Sequence, residues 1–481
     1  MTAARAYSDS QRRELLQDLT KLKSDDDDAV AQSAKWFLPL EAHGRALRPE
    51  TLVVRGGRGA GKSALFHFLG HIQRDHGLAR SLGEVGQFTS MTWREGFANN
   101  PDHPSLATVA AFDQAANDDQ RRFFWFAWLC VRLSTATAVK LPDGLRRTLL
   151  AGREPERLAD AAGRELNALS AWMDMVERDL QDPVIITYDS LDRLATTSEG
   201  PRRMTASLLS MWLALADRYR RIRPKIFVRE DLFQASLSTF PDASKLDARS
   251  VSLEWRVEDL YRVLIKHIAN TSEQLKDWVT SSSRAIPLGC NDGLGWMPPT
   301  ALPETGTASQ KAFVDHLAGE QMGTGEKKGL TYRWIPNRLQ DAHARAVPRS
   351  FLSIVRYAAT FALERGPGAQ SLRLLTPIEL QGALEKTSQN RARELKEEFP
   401  VVDRLENLRG KTVMLERRVA IAALSQARSQ NDEHGNDGER VLHTLIELGA
   451  MSERDDGRID VPDIYRYGFG ILRKGGVKRP R

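Results

Sequence analysis

The residues with the most chemistry in them come early in the chain. Gly56-Gly57-Arg58-Gly59-Ala60-Gly61-Lys62-Ser63 fits the pattern G-x-x-x-x-G-K-[ST]. Glycines at these places let the backbone wrap a polyphosphate with its N–H groups turned inward. A helix that starts at the loop adds partial positive charge at its N-terminus. In such a loop Lys62 reaches the β- and γ-phosphates, and the Ser63 hydroxyl ligates Mg²⁺. A plain glycine-rich turn is disfavoured, because the spacing and both flanks fit.

A phosphate loop of this kind needs an acid for Mg²⁺ at the end of a neighbouring strand. Val184-Ile185-Ile186-Thr187-Tyr188-Asp189 supplies one, with Asp189 where the strand would leave the sheet's carboxyl edge. Asp192 follows in Asp189-Ser190-Leu191-Asp192-Arg193 and is a candidate for orienting the attacking water; helix capping or a pair with Arg193 is the competing reading. Three arginines complete the candidate set. Arg229 ends a strand and Arg349 opens a helix, both suited to answer charge on a γ-phosphate. Arg249 precedes a further strand, and for each of the three a surface ion pair is the alternative.

These residues must be positioned by a sheet. Thr51–Arg55, Pro183–Tyr188, Lys225–Val228 and Ser250–Trp255 read as strands, with helices between them, including Ser63–His71 and Met204–Tyr219. Strands alternating with helices predict an α/β fold: a mostly parallel P-loop NTPase sheet with helices on both faces. A helical lid and a small winged-helix-like C-terminal domain are expected to follow. The expected divisions are 1–50, an N-terminal helical segment and nucleotide-bordering linker; 51–265, the P-loop core; 266–374, the lid with a Pro/Gly-rich insertion at 283–309; 375–436, helical; and 437–481, winged-helix-like with a basic tail. Residues 9–22 read as an amphipathic helix, Asp25–Asp28 as a solvated turn, and Phe123–Val131 as a buried helix too short to span a bilayer.

With these motifs in order, the chain resembles the AAA+ and STAND branches of P-loop ATPases, near origin-recognition-like, NACHT-like and KAP-like members. Gly56–Ser63 is similar to their G-x-R-G-x-G-K-[ST], and Asp189-Ser190-Leu191-Asp192 to their D-x-h-D motif. Lys225-Ile226-Phe227-Val228-Arg229 looks like their fourth core strand ending in a sensor arginine, and Val347-Pro348-Arg349 like their lid motif. The resemblance spans roughly residues 35–365. It implies ATP with Mg²⁺, Arg249 as a finger entering a neighbour's site, and Trp36-Phe37-Leu38-Pro39-Leu40-Glu41 bordering adenine, with core packing the alternative for that last segment. It also implies a bacterial defence setting. Two departures stand out: Ser190 occupies the place of a catalytic Glu, which points to slow hydrolysis, and the 266–345 segment exceeds a minimal lid.

At the C-terminus, Glu439–Leu448 is an amphipathic helix closed by Gly449, and Asp455-Asp456-Gly457 joins two short strand-like runs. A helix followed by such a hairpin resembles a winged helix. Arg466, Arg473, Lys474, Lys478, Arg479 and Arg481 make the tail basic. Nucleic-acid contacts through Arg473, Lys474, Lys478 and Arg479 are one reading; a protein-docking winged helix is the other.

Composition bounds the rest. The chain has 481 residues, 69 basic against 63 acidic, so its net charge of +6 permits a nucleic-acid partner without demanding one. Two distant cysteines, Cys130 and Cys290, build neither a disulfide framework nor a zinc cluster. No secretory leader or membrane span is legible, and the cytoplasm is the expected compartment. The expected activity is slow ATP hydrolysis in a nucleotide-dependent switch that assembles with itself or with a partner protein. A DNA-binding loader and a non-hydrolysing scaffold are the alternatives.

Overall fold

Five strands form one sheet: β1 (Val53–Gly56), β2 (Thr92–Phe97), β3 (Val184–Tyr188), β4 (Ile222–Arg229) and β5 (Ser250–Ser252), of which β1, β3 and β4 carry short apolar runs. The order across the sheet is β2-β3-β4-β1-β5, and every neighbouring pair is parallel. This computed structural model describes the chain except residues 1–6, 24–32, 75–90, 195–198, 238–239, 241, 282–285, 300–305, 324–328, 367–372, 428–433 and 474–481. The Asp25–Asp28 run and the tail residues Lys474, Lys478, Arg479 and Arg481 therefore lie outside the described residues.

The α/β fold with a parallel sheet expected from the sequence is the one observed. Along β3 and β4 the side chains alternate between two cores, as a period of two requires. Val184, Ile186 and Tyr188 join Ile226, Val228, Trp125, Trp172 and Trp212 in one buried cluster. On the other side of β4, Phe227 meets Phe66 of the helix Lys62–Arg74 edge-on, with ring centroids 5.8 Å apart. Both faces are covered, so all five residues of β3 are buried.

Strand β2 is not legible in the sequence. Thr-Trp-Arg-Glu-Gly-Phe mixes charge with a glycine and does not alternate cleanly. Its place at the sheet edge tolerates the charges, and Gly96 is needed there. A Cβ at Gly96 would fall 2.5 Å from the Ile186 side chain and 2.7 Å from the Tyr188 ring.

One buried charge ties β4 to the segment before β1. Lys225 is fully buried and its Nζ donates to the carbonyls of Arg48 and Thr51. Burial pulls its pKa down to about 7. The sign follows from proton counts: between that value and 10.5 the unfolded chain holds a proton that the folded chain does not. Folding stability is therefore expected to rise with pH above 7, by up to about 1.4 kcal/mol per pH unit. Urea midpoints at pH 7 and pH 9 check this. Lys225→Met should lose most of the rise, and an equal rise in the variant would refute the assignment.

The chain divides into two compact units, residues 31–254 and residues 1–30 with 255–481. In the second unit a continuous apolar core runs from Leu16 and Leu19 through Leu264 and Phe351 to Leu442, Ile459 and Phe469. The helix Asp9–Leu19, opened by a Ser8–Gln11 capping box, belongs to this unit, and buried Arg12 donates to the carbonyls of Arg373 and Leu374 at 3.1 and 2.9 Å. The helices Val257–Thr271 and Pro348–Glu364 and the C-terminal residues from Leu442 to Phe469 share that core.

The loop expected over 283–309 contains a hairpin, β6 (Gly289–Asn291) with β7 (Gly295–Met297). Lys266 and Asn270 hold it from one face of the helix Val257–Thr271, donating to the carbonyls of Leu294 and Trp296 at 2.6 and 2.7 Å. The helical stretch expected over 375–428 also contains β8 (Thr412–Val413) and β9 (Leu415–Glu416), strands of two residues that no periodicity reveals. Downstream, β10 (Ser452–Glu453) and β11 (Arg458–Asp460) form the expected hairpin, and β9 completes a three-stranded sheet in the order β10-β11-β9. Helices Arg417–Leu424 and Gly438–Glu447 pack closely, since a Cβ at Gly438 would lie 2.3 Å from the Ile421 carbonyl. Among the described residues, no helix is long and apolar enough to cross a membrane.

Candidate nucleotide-binding site

The loop Gly56–Ser63 joins the end of β1 to the first turn of the helix Lys62–Arg74. Gly59 and Gly61 have φ of +78° and +93°, which side-chain-bearing residues rarely adopt. Gly57, Arg58 and Ala60 fill the turn between them, and the Ala60 N–H donates to the Gly57 carbonyl at 3.2 Å. Half-buried Lys62 folds back over this loop, its Nζ donating to the carbonyls of Gly56 and Gly57 at 2.9 and 3.0 Å. Desolvation lowers its pKa, opposed chiefly by the charges of Asp192 and Asp189.

Asp189 follows β3 and is buried; its own N–H donates to the Phe97 carbonyl of β2 at 2.9 Å. Desolvation raises its pKa, against hydrogen bonds from the Ser190 N–H and the Ser63 side chain. The structure thus brings Ser63 and Asp189 together. Two hard oxygen donors at a phosphate loop fit Mg²⁺, which retains water and takes its remaining ligands from phosphate. Ser190 sits at φ +62°, a left-handed conformation unusual for serine.

Arg229 ends β4 directly across from Gly56, the first residue of the loop, in the parallel register. Its Nη1 lies 3.8 Å from Asp192. Its Nε and Nη2 each donate to Asp231 at 3.0 Å. Sequence reasoning misses Asp231, whose only signal is an acid two residues beyond a strand-ending arginine. Next to it, Glu230 pairs with Arg55 of β1 at 3.0 Å. At this edge the carboxylates Asp189, Asp192 and Asp231 lie near Lys62 and Arg229, and their charge favours a triphosphate that arrives with a divalent cation.

Arg249 lies elsewhere. It precedes β5, and its carbonyl accepts from Leu52 and Val53 at the start of β1, so it sits at the amino edge of the parallel sheet. There it pairs with Asp217 at 2.8 Å. Any contact of Arg249 with nucleotide would be with a second copy. Arg349 belongs to the other unit, where it opens the helix Pro348–Glu364 and lies 3.3 Å from Glu394. Within Trp36–Glu41, Phe37 is buried and stacks on Phe68 of the P-loop helix, with centroids 4.0 Å apart. Arg473 is held by Asp460 at 2.7 Å, so a phosphate contact from it would break an internal pair.

The solved structures similar to the chain include three archaeal ones. The ORC1 protein of Aeropyrum pernix, in complex with DNA, matches at 12% identity and a TM-score of 0.33, covering 98% of this chain and 96% of that one. The ORC2 protein of the same organism, in ADPNP–ADP complexes, matches at 11% and 0.36, covering 86% and 84%. Cdc6p from Pyrobaculum aerophilum matches at 11% and 0.28, again covering 86% and 84%. No protein-family model and no curated protein matches the sequence. The residue assignments rest on the geometry of the site.

Proposed function

We propose that this chain is an AAA+-type ATPase that binds Mg²⁺–ATP, hydrolyses it slowly, and uses the bound state as a switch for assembly with itself or with a partner protein. The observation that carries this is the convergence of Lys62, Ser63, Asp189, Asp192 and Arg229 at one carboxyl edge of a parallel sheet, the usual ligand edge of such folds. In this reading the loop N–H groups and Lys62 bind the β- and γ-phosphates. Asp192 orients the attacking water, and Arg229 answers the charge that develops on the γ-phosphate. Mg²⁺, held by Ser63 and Asp189, neutralises phosphate charge when bound. Ser190 has no carboxylate to act as base beside Asp189, which supports slow turnover.

A site that holds ATP longer than it hydrolyses it biases conformations by differential affinity. One charge-assisted contact made only with the γ-phosphate, about 1.5–3 kcal/mol, shifts such an equilibrium roughly ten- to a hundred-fold. Arg349 and Arg249 are the proposed means by which lid and neighbour sense that contact.

A second reading, a DNA-engaging ATPase, is favoured by the helix-and-hairpin arrangement of Arg417–Asp460, which resembles a winged helix. Its described surface is mixed in charge. Glu439, Arg440, His443 and Glu447 are exposed on the helix Gly438–Glu447, Arg418 is exposed on the helix before it, and Asp455, Asp456 and Arg458 are exposed at the hairpin. In this reading nucleic-acid affinity is shared between these arginines and the basic tail.

Light scattering and hydrogen exchange with ATP, ADP and no nucleotide, and turnover with and without duplex DNA, separate these readings. The switch predicts an ATP-specific change in mass or protection, with slow, DNA-independent turnover. The same mass and exchange pattern in all three conditions sinks it. Turnover strongly stimulated by DNA moves the conclusion to the second reading.

A further inference from the structure

We infer that Asp231 is a positioning residue for hydrolysis: it pins the guanidinium of Arg229 so that one nitrogen is directed to the γ-phosphate. The inference rests on the ATPase reading above and assigns a residue that the motif pattern does not contain.

The geometry is specific. Asp231 takes Arg229 through two parallel bonds, Nε to Oδ1 and Nη2 to Oδ2, both 3.0 Å. A two-point carboxylate–guanidinium fork fixes the plane of the guanidinium as well as its place. The remaining terminal nitrogen, Nη1, is the one directed to the Asp192 side, 3.8 Å from that carboxylate. Arg229 is only 11% exposed and pairs in register with Gly56, so the guanidinium stands at the level of the phosphate loop.

Asp192, 3.8 Å from Nη1, is within reach of a guanidinium released from Asp231. That carboxylate is the very group proposed to orient water. Asp231 thus does two things: it presents Nη1, and it keeps Arg229 from capturing Asp192. The effect falls on the chemical step, because the Arg229 interaction that strengthens in the transition state is the one that loses its orientation. Ground-state nucleotide binding, carried by the loop N–H groups and Lys62, is spared.

Asp231 also lies in the first turn of the helix Glu230–Leu237, where any acid favours the helix dipole. A purely structural role of that kind would lower stability and would not depend on Arg229. The two roles are therefore separable by experiment.

The test uses the full chain and four variants: Asp231→Asn, Asp231→Glu, Arg229→Ala, and Asp231→Asn with Arg229→Ala. Steady-state ATP hydrolysis, ADP affinity by calorimetry and thermal midpoints are measured for each. Asp231→Asn should lower kcat about tenfold with KM for ATP and ADP affinity within about twofold. Asp231→Glu should recover part of the loss. In the Arg229→Ala background, Asp231→Asn should cause no further fall. Parental kcat in Asp231→Asn, or an equal fall in the Arg229→Ala background, overturns the positioning role alone. So does an activity loss that simply follows the thermal midpoint. A parent chain that neither binds nor hydrolyses ATP overturns this inference together with the reading it rests on.

Discussion

Lys62→Ala is expected to lower ATP affinity by roughly ten- to a hundred-fold or more, the size of one lost charge-assisted contact of about 1.5–3 kcal/mol. The structure gives the reason. The Lys62 ammonium already lies on the loop, bonded to the carbonyls of Gly56 and Gly57, so little reorganisation separates it from phosphates wrapped by the same backbone. Its pKa is held down by desolvation, opposed by Asp192 and Asp189, which marks an ammonium short of solvation. An arriving triphosphate supplies that missing counter-charge. Alanine removes the charge and leaves the loop glycines in place. ADP affinity should fall less than ATP affinity, since the γ-phosphate contact is lost only from ATP. Calorimetry on parent and variant, with circular dichroism to confirm that both are folded, gives the comparison. Equal ATP affinity in the two would remove the phosphate-binding assignment.

Much of this site is legible in the sequence because its parts are local. The loop is eight consecutive residues, and β1, β3 and β4 carry short apolar runs that a two-sided sheet must bury. The Ser63–Asp189 contact could be expected, because strand ends at one edge of a parallel sheet converge. The rest depends on facts with no local signature. Strand β2 carries Arg94, Glu95 and Gly96, and only the closeness of Ile186 and Tyr188 explains the glycine. The first helix joins the core of residues 255–481, a long-range choice written in no periodicity. Arg249 is recognisable from its place before a strand; which edge of the sheet that is becomes clear only from the register of β1 with β5. Arg473 looks like part of a basic tail, and its pairing with Asp460 depends on how β11 and the final strand-like residues meet. Asp231 escapes notice because an acid at a helix start already has an ordinary explanation.

Asp189→Asn is expected to cut ATP turnover by about a hundredfold or more, the scale seen when one electrostatic element of a transition-state site is removed. Asparagine keeps the shape and a carbonyl oxygen able to accept from the Ser190 N–H and the Ser63 hydroxyl, so the turn after β3 should survive. What it removes is charge. In the parent, burial raises the Asp189 pKa, and nearby Asp192 raises it further. The carboxylate is therefore costly until a cation is present, and Mg²⁺ carried in by the nucleotide reverses that cost. The consequence has a sign that differs with conditions. With Mg²⁺, the variant should bind ATP somewhat more weakly and hardly hydrolyse it. With chelator and no Mg²⁺, it should bind ATP as tightly as the parent or more tightly, because a carboxylate beside the phosphate loop is gone. A structural defect would weaken binding under both conditions, so the pair of measurements separates the two causes. Asp192→Asn, at a group 35% exposed and 3.8 Å from Arg229, should slow turnover with little change in Mg²⁺-dependent affinity. Turnover in Asp189→Asn matching the parent, or an affinity loss independent of Mg²⁺, would take Asp189 out of the metal site and leave the loop as a phosphate-binding element without its acidic partner.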